Sequence, residues 1–209
     1  MEKKYEFTDE VNKYGHKRIR ALRDIPTHNV KAGDLGGFLQ SEKNLSHDDD
    51  CWVGDNAIVF DNAEVYGNAK VYGNAEISDN AIVSGNAFVS GNAFVYDDAN
   101  ISGDVEVYGN ALVYRNAEVY GNARIFDSAR VSGNAIVTKN PVVIGGLKYP
   151  VTITDNHMQI GCQFHTFEEW NNFTRKDILA MDGKDALNFW NENKDILMAH
   201  CKNHSKNNS

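Results

Sequence analysis

The cysteines and histidines near the C-terminus are the residues best suited to metal chemistry. Cys162 with His165, and Cys201 with His204, each have the C-x2-H spacing, so together they would supply the four ligands of a tetrahedral zinc ion. We expect the second pair to sit in a loose tail, however, and a buried thiol such as Cys162 after a strand is common. We therefore assign no metal and no cofactor, and zinc stays an alternative.

Arginines beside aromatic residues form a second set of candidates, suited to binding an anionic ring compound. Tyr108 and Phe126 are 18 residues apart, three copies of a six-residue pattern, and Arg124 lies two residues before Phe126. Aromatic rings stack on a base or nicotinamide ring, and guanidinium groups bind phosphate. Arg115 is a further candidate, because it replaces the Gly or Asp usual at that point of the pattern. A subunit interface is the alternative role for these residues.

The basic segment near the N-terminus supplies two more candidates. Arg18 and Arg20 alternate with Ile19 and Ala21, which predicts a strand with both arginines on one face. Such a pair could act as a fork for an anion or phosphate. A solvated strand edge protected by charge is the alternative. His165 completes the set of predicted ligand-binding residues.

A six-residue repeat must position these side chains. Residues 65–76, VYGNAKVYGNAE, contain the motif VYGNA twice. Val or Ile recurs at every sixth position from Val53 to Val143, mostly with Ala four residues later. A period of six predicts a short strand and a sharp corner in each repeat, with three repeats closing one triangular coil. β-branched residues suit the strand interior, and Gly-Asn or Asp-Asn pairs tolerate the positive φ of a tight corner.

This pattern resembles the hexapeptide repeat of left-handed parallel β-helices, [LIV]-G-x-x-[STAV]-x, with the Gly usually moved one place to precede Asn. The resemblance covers residues 51–144. It implies a mainly β protein built on a left-handed parallel β-helix of about five to six coils. Stepping back by six from Ala57 reaches Cys51, Leu45 and Leu39, which we expect to occupy the small-residue position of a degenerate first coil.

The segments on either side of the repeat differ from it in composition. We expect a short N-terminal β segment over residues 1–32, the β-helix over 33–146, and a C-terminal β-hairpin with an α-helical cap over 147–209. Thr166 and Thr174 are predicted helix caps, and Asp182-Gly183 should separate two helices.

Positions 18 apart share an outer face of such a prism. Two faces are largely apolar in sequence and the third is more polar. Exposed apolar stripes usually mark interfaces, and two such faces suit a homotrimer in which each protomer offers a different face to each neighbour. The alternative is that the aromatic residues stack along the coils only to stabilise the sheets.

The resemblance also raises an enzymatic alternative, because hexapeptide-repeat proteins are best known as acyltransferases. Those enzymes typically use a histidine as general base. No histidine occurs between His47 and His157, so acyl transfer would require His47 or His165 from an end. The same gap leaves out the histidine triad that binds metal in the related carbonic anhydrases. We expect a protein without catalytic residues.

Charge and hydropathy exclude several classes of partner. The net charge of −8 argues against nucleic acid, whose backbone is bound by Lys and Arg. No apolar run approaches the roughly 18 to 20 residues of a membrane span, and the N-terminus lacks the apolar core of a secretion signal. We expect a cytoplasmic protein with reduced cysteines.

The array with its flanks, LGGFLQSEKNLS and QIGCQFHTFEEW, resembles small proteins encoded by phages and prophages that carry NAxVxG repeats. That resemblance implies an oligomeric counter-defence protein of the host cytoplasm, which captures a small anionic or nucleotide signal without catalysis. A structural or protein-interaction scaffold is the remaining alternative.

Overall fold

The computed structural model describes residues 3–206. The chain begins with an antiparallel hairpin of β1 (Tyr5–Val11) and β2 (Lys17–Ala21), and β2 pairs antiparallel with β3 (Leu35–Leu39). As predicted, Arg18 and Arg20 lie on one face of β2, while Ile19 and Ala21 are buried on the other. Two short 3-10 helices, Pro26–His28 and Glu42–Asn44, flank β3.

The repeats form a parallel β-solenoid of two-residue strands. From Ile58–Val59 to Ile136–Val137 the first residue of each strand faces outward and the second, Val or Ile, is buried, whereas both residues of Trp52–Val53 are buried. The solenoid strands that follow β3 are β4 (Trp52–Val53), β5 (Ile58–Val59), β6 (Glu64–Val65), β7 (Lys70–Val71), β8 (Glu76–Ile77), β9 (Ile82–Val83), β10 (Phe88–Val89), β11 (Phe94–Val95), β12 (Asn100–Ile101), β13 (Glu106–Val107), β14 (Leu112–Val113), β15 (Glu118–Val119), β16 (Arg124–Ile125), β17 (Arg130–Val131) and β18 (Ile136–Val137).

Three sheets make the three faces. The first face joins β3, β5, β8, β11, β14 and β17, and the hairpin extends it; the second joins β4, β7, β10, β13 and β16; the third joins β6, β9, β12, β15 and β18. From β4 to β15 each strand residue pairs with the residue 18 positions later, for example Val89 with Val107. The mainly β architecture and the parallel solenoid of about six turns are confirmed, whereas the left-handed sense stays a prediction.

The solenoid core contains only small and β-branched side chains along most of its length. The Val and Ile positions from Val53 to Val137, and the Ala positions from Ala57 to Ala135, are essentially without exposed surface. Removing aliphatic surface from water contributes roughly 25 cal/mol per Å², so this continuous column is the main source of stability. Each coil adds one layer of the same composition.

Corners are closed by residues with positive φ and by ladders of asparagine. Gly85, at φ 66°, sits directly below the backbone of Gly103 in the next coil. After several of these corner residues an asparagine side chain bonds to the side chain 18 residues later, as Asn74 Nδ2 donates to Asn92 Oδ1 at 3.1 Å. These bonds link successive coils outside the sheets.

The first coil differs from the expected spacing. Leu39 pairs with Val59 and Leu45 forms a bridge with Val65, 20 residues later instead of 18. Both leucines therefore occupy the Val/Ile position and not the small-residue position predicted for them, because two additional residues separate Leu45 from Val53. Cys51 is buried at the small-residue position, as predicted.

The C-terminal cap begins before the repeat pattern ends. Val143 lies in β19 (Val142–Ile144), which pairs antiparallel with β20 (Val151–Ile153) and does not extend the parallel pattern expected of it. β21 (His157–Ile160) and β22 (Gln163–Thr166) complete a four-stranded antiparallel sheet, where the sequence predicted a hairpin. The cause is the Gly145-Gly146 turn, which reverses the chain.

Two helices follow the C-terminal sheet. These are α1 (Phe167–Asn172) and α2 (Arg175–Lys206), and both predicted threonine caps are confirmed: Thr166 forms a capping box with Glu169, and Thr174 Oγ1 bonds to Asp177. α2 is broken at Asp182 and Gly183, where the sequence predicted a separation. None of the helices within residues 3–206 is long and apolar enough to span a bilayer.

The C-terminal sheet is joined to the last coils of the solenoid. Ser132 Oγ donates to Gln159 Oε1 at 3.1 Å, and Gln159 Nε2 donates to the Tyr114 hydroxyl at 3.1 Å. The Phe164 ring packs against the solenoid core and lies where a side chain on Gly133 would project. These contacts cover the C-terminal end of the first face.

Candidate functional site

The second face carries the aromatic pair that the 18-residue spacing predicts. The rings of Tyr108 and Phe126 are stacked with centroids 5.6 Å apart and planes 14° from parallel. Nearer the N-terminal end of the same face, the rings of Tyr72 and Phe88 meet edge to face with centroids 6.3 Å apart. Because each strand is only two residues long, the residue on either side of the buried Val or Ile points outward, and equivalent rings align from coil to coil.

Arg124 belongs to the same surface and already has a partner. Its Nε lies 3.3 Å from Glu106 Oε2, one coil away, and the arginine side chain is 56% exposed. The backbone N–H of Arg124 donates to Asn140 Oδ1 at 2.8 Å. The structure thus brings Tyr108, Phe126 and Arg124 to one face, with a carboxylate among them.

Arg115 lies on a different part of the solenoid. It is exposed at a corner with φ 58°, and its backbone N–H donates to Asp97 Oδ2 at 3.0 Å. Its guanidinium is 5.8 Å from the centre of the Tyr114 ring, whose neighbour in the stack is Tyr96. Arg115 therefore joins the aromatic residues of the first face and does not join the Tyr108 cluster.

The two N-terminal arginines are each bound to a carboxylate of β1. Arg20 pairs with Glu6, and Arg18 Nε lies 2.9 Å from Glu10 Oε1. Arg18 also donates to the carbonyl oxygens of Gly36 and Asp55, so it holds the hairpin against the first coils. Their anion-binding role stays a prediction, and any anion would compete with these glutamates.

His165 is placed in the C-terminal cap among aromatic rings. It meets Trp170 and Phe173 edge to face, with centroids 5.2 and 4.8 Å away. Burial lowers the pKa of His165, although Glu169, 4.0 Å from its Nδ1, raises it. The imidazole belongs to β22 of the C-terminal sheet, whereas Tyr108, Arg124 and Phe126 belong to the second face of the solenoid.

The four residues considered as zinc ligands do not converge. Cys162 is exposed, whereas Cys201 is buried against the Met158 sulfur and its pKa is raised to about 12 by burial. Within residues 3–206 no three His, Cys, Asp or Glu side chains form a group that could hold a metal ion.

Large apolar side chains that remain exposed are found on all three faces. Phe94 is on the first, Phe88 on the second, and Tyr66, Tyr120 and Ile136 are on the third. The exposure is therefore not limited to the two faces that look apolar in sequence. On those two faces the stacking of neighbouring rings reduces the exposed area.

Among residues 3–206 the structure forms concave sites that the sequence analysis did not predict, including two that differ in polarity. One is a polar cleft of about 300 Å³ at the N-terminal end of the second face, which includes His28, Asp34, Trp52 and Tyr72. Both ring nitrogens of His28 are buried without a hydrogen-bond partner in the described chain, and burial lowers its pKa. Tertiary packing of the N-terminal segment creates this cleft, so no local pattern could have predicted it.

The second is an apolar cavity of about 290 Å³ inside the C-terminal cap. It is bounded by the turn between β21 and β22, by α1, and by both parts of the broken α2. The lining residues are Tyr149, Ile160, Gly161, Cys162, Gln163, Trp170, Ile178, Met181, Asp182, Ala186, Phe189 and Trp190. The tryptophans were predicted as an apolar packing surface, but the cavity depends on the break in α2.

Comparison with known proteins shows a similarity in part of the solenoid. Residues 75–91 and 117–133 match the family model described as the YdcK beta solenoid repeat. No curated protein matches the chain. The two matched segments lie wholly within the parallel sheets, so the chain is similar to this family in its repeats and in the solenoid they form.

Proposed function

We propose that this chain is a non-catalytic, oligomeric binding protein that captures a small anionic, nucleotide-like ligand on the second face of its solenoid. The observation that carries the proposal is the stacked pair Tyr108 and Phe126 next to the exposed guanidinium of Arg124. The ring pair offers a surface for a base, and the guanidinium offers donors for a phosphate.

The ion pair between Arg124 and Glu106 does not prevent phosphate binding. Exposed ion pairs of this kind contribute only about 0 to 1 kcal/mol. Hydrogen bonds from a guanidinium to phosphate are charge-assisted and frequently bidentate. A phosphate can therefore replace Glu106 as the partner of Arg124. The Lys70 amine lies on the same column of outward residues, because Lys70 pairs with Phe88 and Phe88 pairs with Glu106.

The oligomer in this proposal is a homotrimer. Phe88 and Phe94 are 36% and 39% exposed on adjacent faces of the solenoid, and association through those faces would bury both. An interface next to the second face would also enclose part of the ligand. Native mass spectrometry measures the subunit number directly, and a monomer at micromolar concentration would contradict the trimer.

The origin and cellular location in this proposal rest on sequence resemblance. The flanks of the repeat resemble those of phage and prophage proteins, and the repeat resembles the left-handed hexapeptide type. We accordingly place the protein in the host cytoplasm as a counter-defence factor that sequesters an immune signal.

Replacing Arg124 by alanine should weaken nucleotide binding without unfolding the solenoid. The side chain is exposed, so its removal leaves the core intact. Loss of a hydrogen bond to a charged group costs about 1.5 to 3 kcal/mol, which corresponds to at least a roughly tenfold increase in Kd. Isothermal titration calorimetry with ADP-ribose and with cyclic di-AMP as probes measures this change.

Arg130→Ala is the matched control, because Arg130 occupies the same position of the repeat on the first face. We expect its Kd for either probe to equal that of the unmodified protein. Equal weakening by both substitutions would indicate general electrostatic attraction and contradict a site on the second face. Absence of saturable binding to both probes would contradict the nucleotide proposal and favour the scaffold.

A further inference from the structure

The cavity in the C-terminal cap is separate from the proposed nucleotide site and is lined by large, fixed aromatic side chains. Trp170 and Trp190 are almost fully buried with ring centroids 5.1 Å apart, and Phe189 and Ile178 are buried beside them. Trp170 Nε1 donates to the carbonyl oxygen of Met158 at 2.6 Å, so the indole is held in place. The interior of the cavity is therefore an apolar surface of defined shape.

The break in α2 produces the cavity. Asp182 has φ −153° and ψ 41°, and Gly183 has φ 60°, so neither continues the helix. Ile178 and Met181 approach the cavity from the segment before the break, while Phe189 and Trp190 approach from the segment after it. A continuous helix could not place both groups around one space, because its axis would carry them apart.

The polar groups of the cavity are few and have one sign of charge. Asp182 lies at the break, and the Tyr149 hydroxyl donates to its Oδ2. This hydrogen bond raises the pKa of Tyr149 to about 12, so the phenol stays a donor to Asp182 at neutral pH. Gln163 and the exposed Cys162 are the other polar lining residues, and none of the lining residues is Lys or Arg.

From this arrangement we propose that the cap cavity binds a small planar aromatic amine, with its ring against the apolar lining beside the paired tryptophans and its ammonium group at Asp182. Apolar cavities that exclude water gain stability from an apolar occupant, which explains the ring. Asp182 is the charged residue of the lining, and its exposed carboxylate attracts a positive group, which explains the amine. The volume of about 290 Å³ lies at the small end of ligand sites, which suits one or two fused rings with a short arm.

Tryptamine and indole-3-propionate distinguish this proposal from unspecific hydrophobic binding. They have the same ring and nearly the same length, but one ends in an ammonium group and the other in a carboxylate. In calorimetric titrations of the full chain we expect saturable binding of tryptamine and at least tenfold weaker binding of indole-3-propionate. Equal affinity of the two probes, or no saturable binding of tryptamine, would overturn the proposal.

Asp182→Asn tests the carboxylate. The amide oxygen of Asn can still accept the Tyr149 hydrogen bond, so the break in α2 is preserved while the charge is removed. We expect at least a tenfold loss of tryptamine affinity and a smaller difference between the two probes. Asp185→Asn is the matched control, because Asp185 pairs with Lys148 and is not part of the cavity lining. An unchanged affinity in Asp182→Asn would overturn the assignment of the ammonium group.

Cys162 provides an independent readout of occupancy. It is the exposed cysteine at the cavity, whereas Cys51 and Cys201 are buried and burial raises the pKa of both thiols. We expect tryptamine to slow the reaction of Cys162 with a thiol reagent such as 5,5′-dithiobis(2-nitrobenzoate), with the same concentration dependence as in calorimetry. Ala186→Leu should fill the cavity and abolish this protection; protection that persists in this variant would place the ligand elsewhere.

Discussion

Replacing Ile101 by aspartate should prevent the solenoid from folding. Ile101 lies in the middle of the core column with no exposed surface, between Val83 and Val119 in the adjacent coils. An unpaired carboxylate in such a place costs several kcal/mol, even when it becomes protonated. That is a large part of the roughly 5 to 15 kcal/mol by which a domain is stable. Circular dichroism and urea unfolding of the purified protein measure the loss.

Asn100→Asp is the matched control for this prediction. Asn100 precedes Ile101 in the same two-residue strand, but it is exposed on the third face. We expect this variant to unfold at nearly the same urea concentration as the original protein, since surface changes usually have small effects. Similar losses in both variants would show that the inward and outward positions are not separated as the structure has them.

The repeat could be predicted from sequence because each of its positions has a distinct physical requirement. A buried β-branched residue, a small residue and a corner residue recur with a fixed period, so Val89 and Ala93 could be assigned without coordinates. The ion pair of Arg124 with Glu106 could also have been predicted, because Glu106 is 18 residues earlier and therefore on the same face. The fixed spacing therefore predicts which residues of successive coils lie next to each other.

The rest depends on contacts without such spacing. Leu39 and Leu45 were assigned to the wrong position because counting by six cannot detect two inserted residues. The pairing of Arg20 with Glu6 depends on the register of the N-terminal hairpin, which the sequence leaves open. The cap cavity requires the chain to bring β21, α1 and both parts of α2 together, and only the break at Asp182 and Gly183 was visible in sequence.

Replacing Gly85 by leucine should strongly destabilise the corner of the coil. A Cβ on Gly85 would lie 2.7 Å from the backbone nitrogen of Gly103, and the φ of 66° is unfavourable for a branched side chain. The backbone strain costs about 1 to 2 kcal/mol and the overpacking about 1 to 3 kcal/mol. We expect a combined loss of about 3 kcal/mol in the free energy of unfolding, measured by urea denaturation.

Gly85→Asp separates the two causes, because aspartate is close to leucine in size but can bond to the next coil. At equivalent corners Asp55 and Asp97 have φ of 53° and 59°, and their carboxylates accept the N–H groups of Gly73 and Arg115, each at 3.0 Å. Asp at position 85 can accept the N–H of Gly103 in the same way, so part of the cost is offset and its loss should be clearly smaller than that of leucine. Equal losses would mean that space alone decides which residues close a corner. A smaller loss for aspartate would explain why most of these corners hold either Gly or Asp: glycine leaves the N–H of the next coil accessible, and aspartate bonds to it.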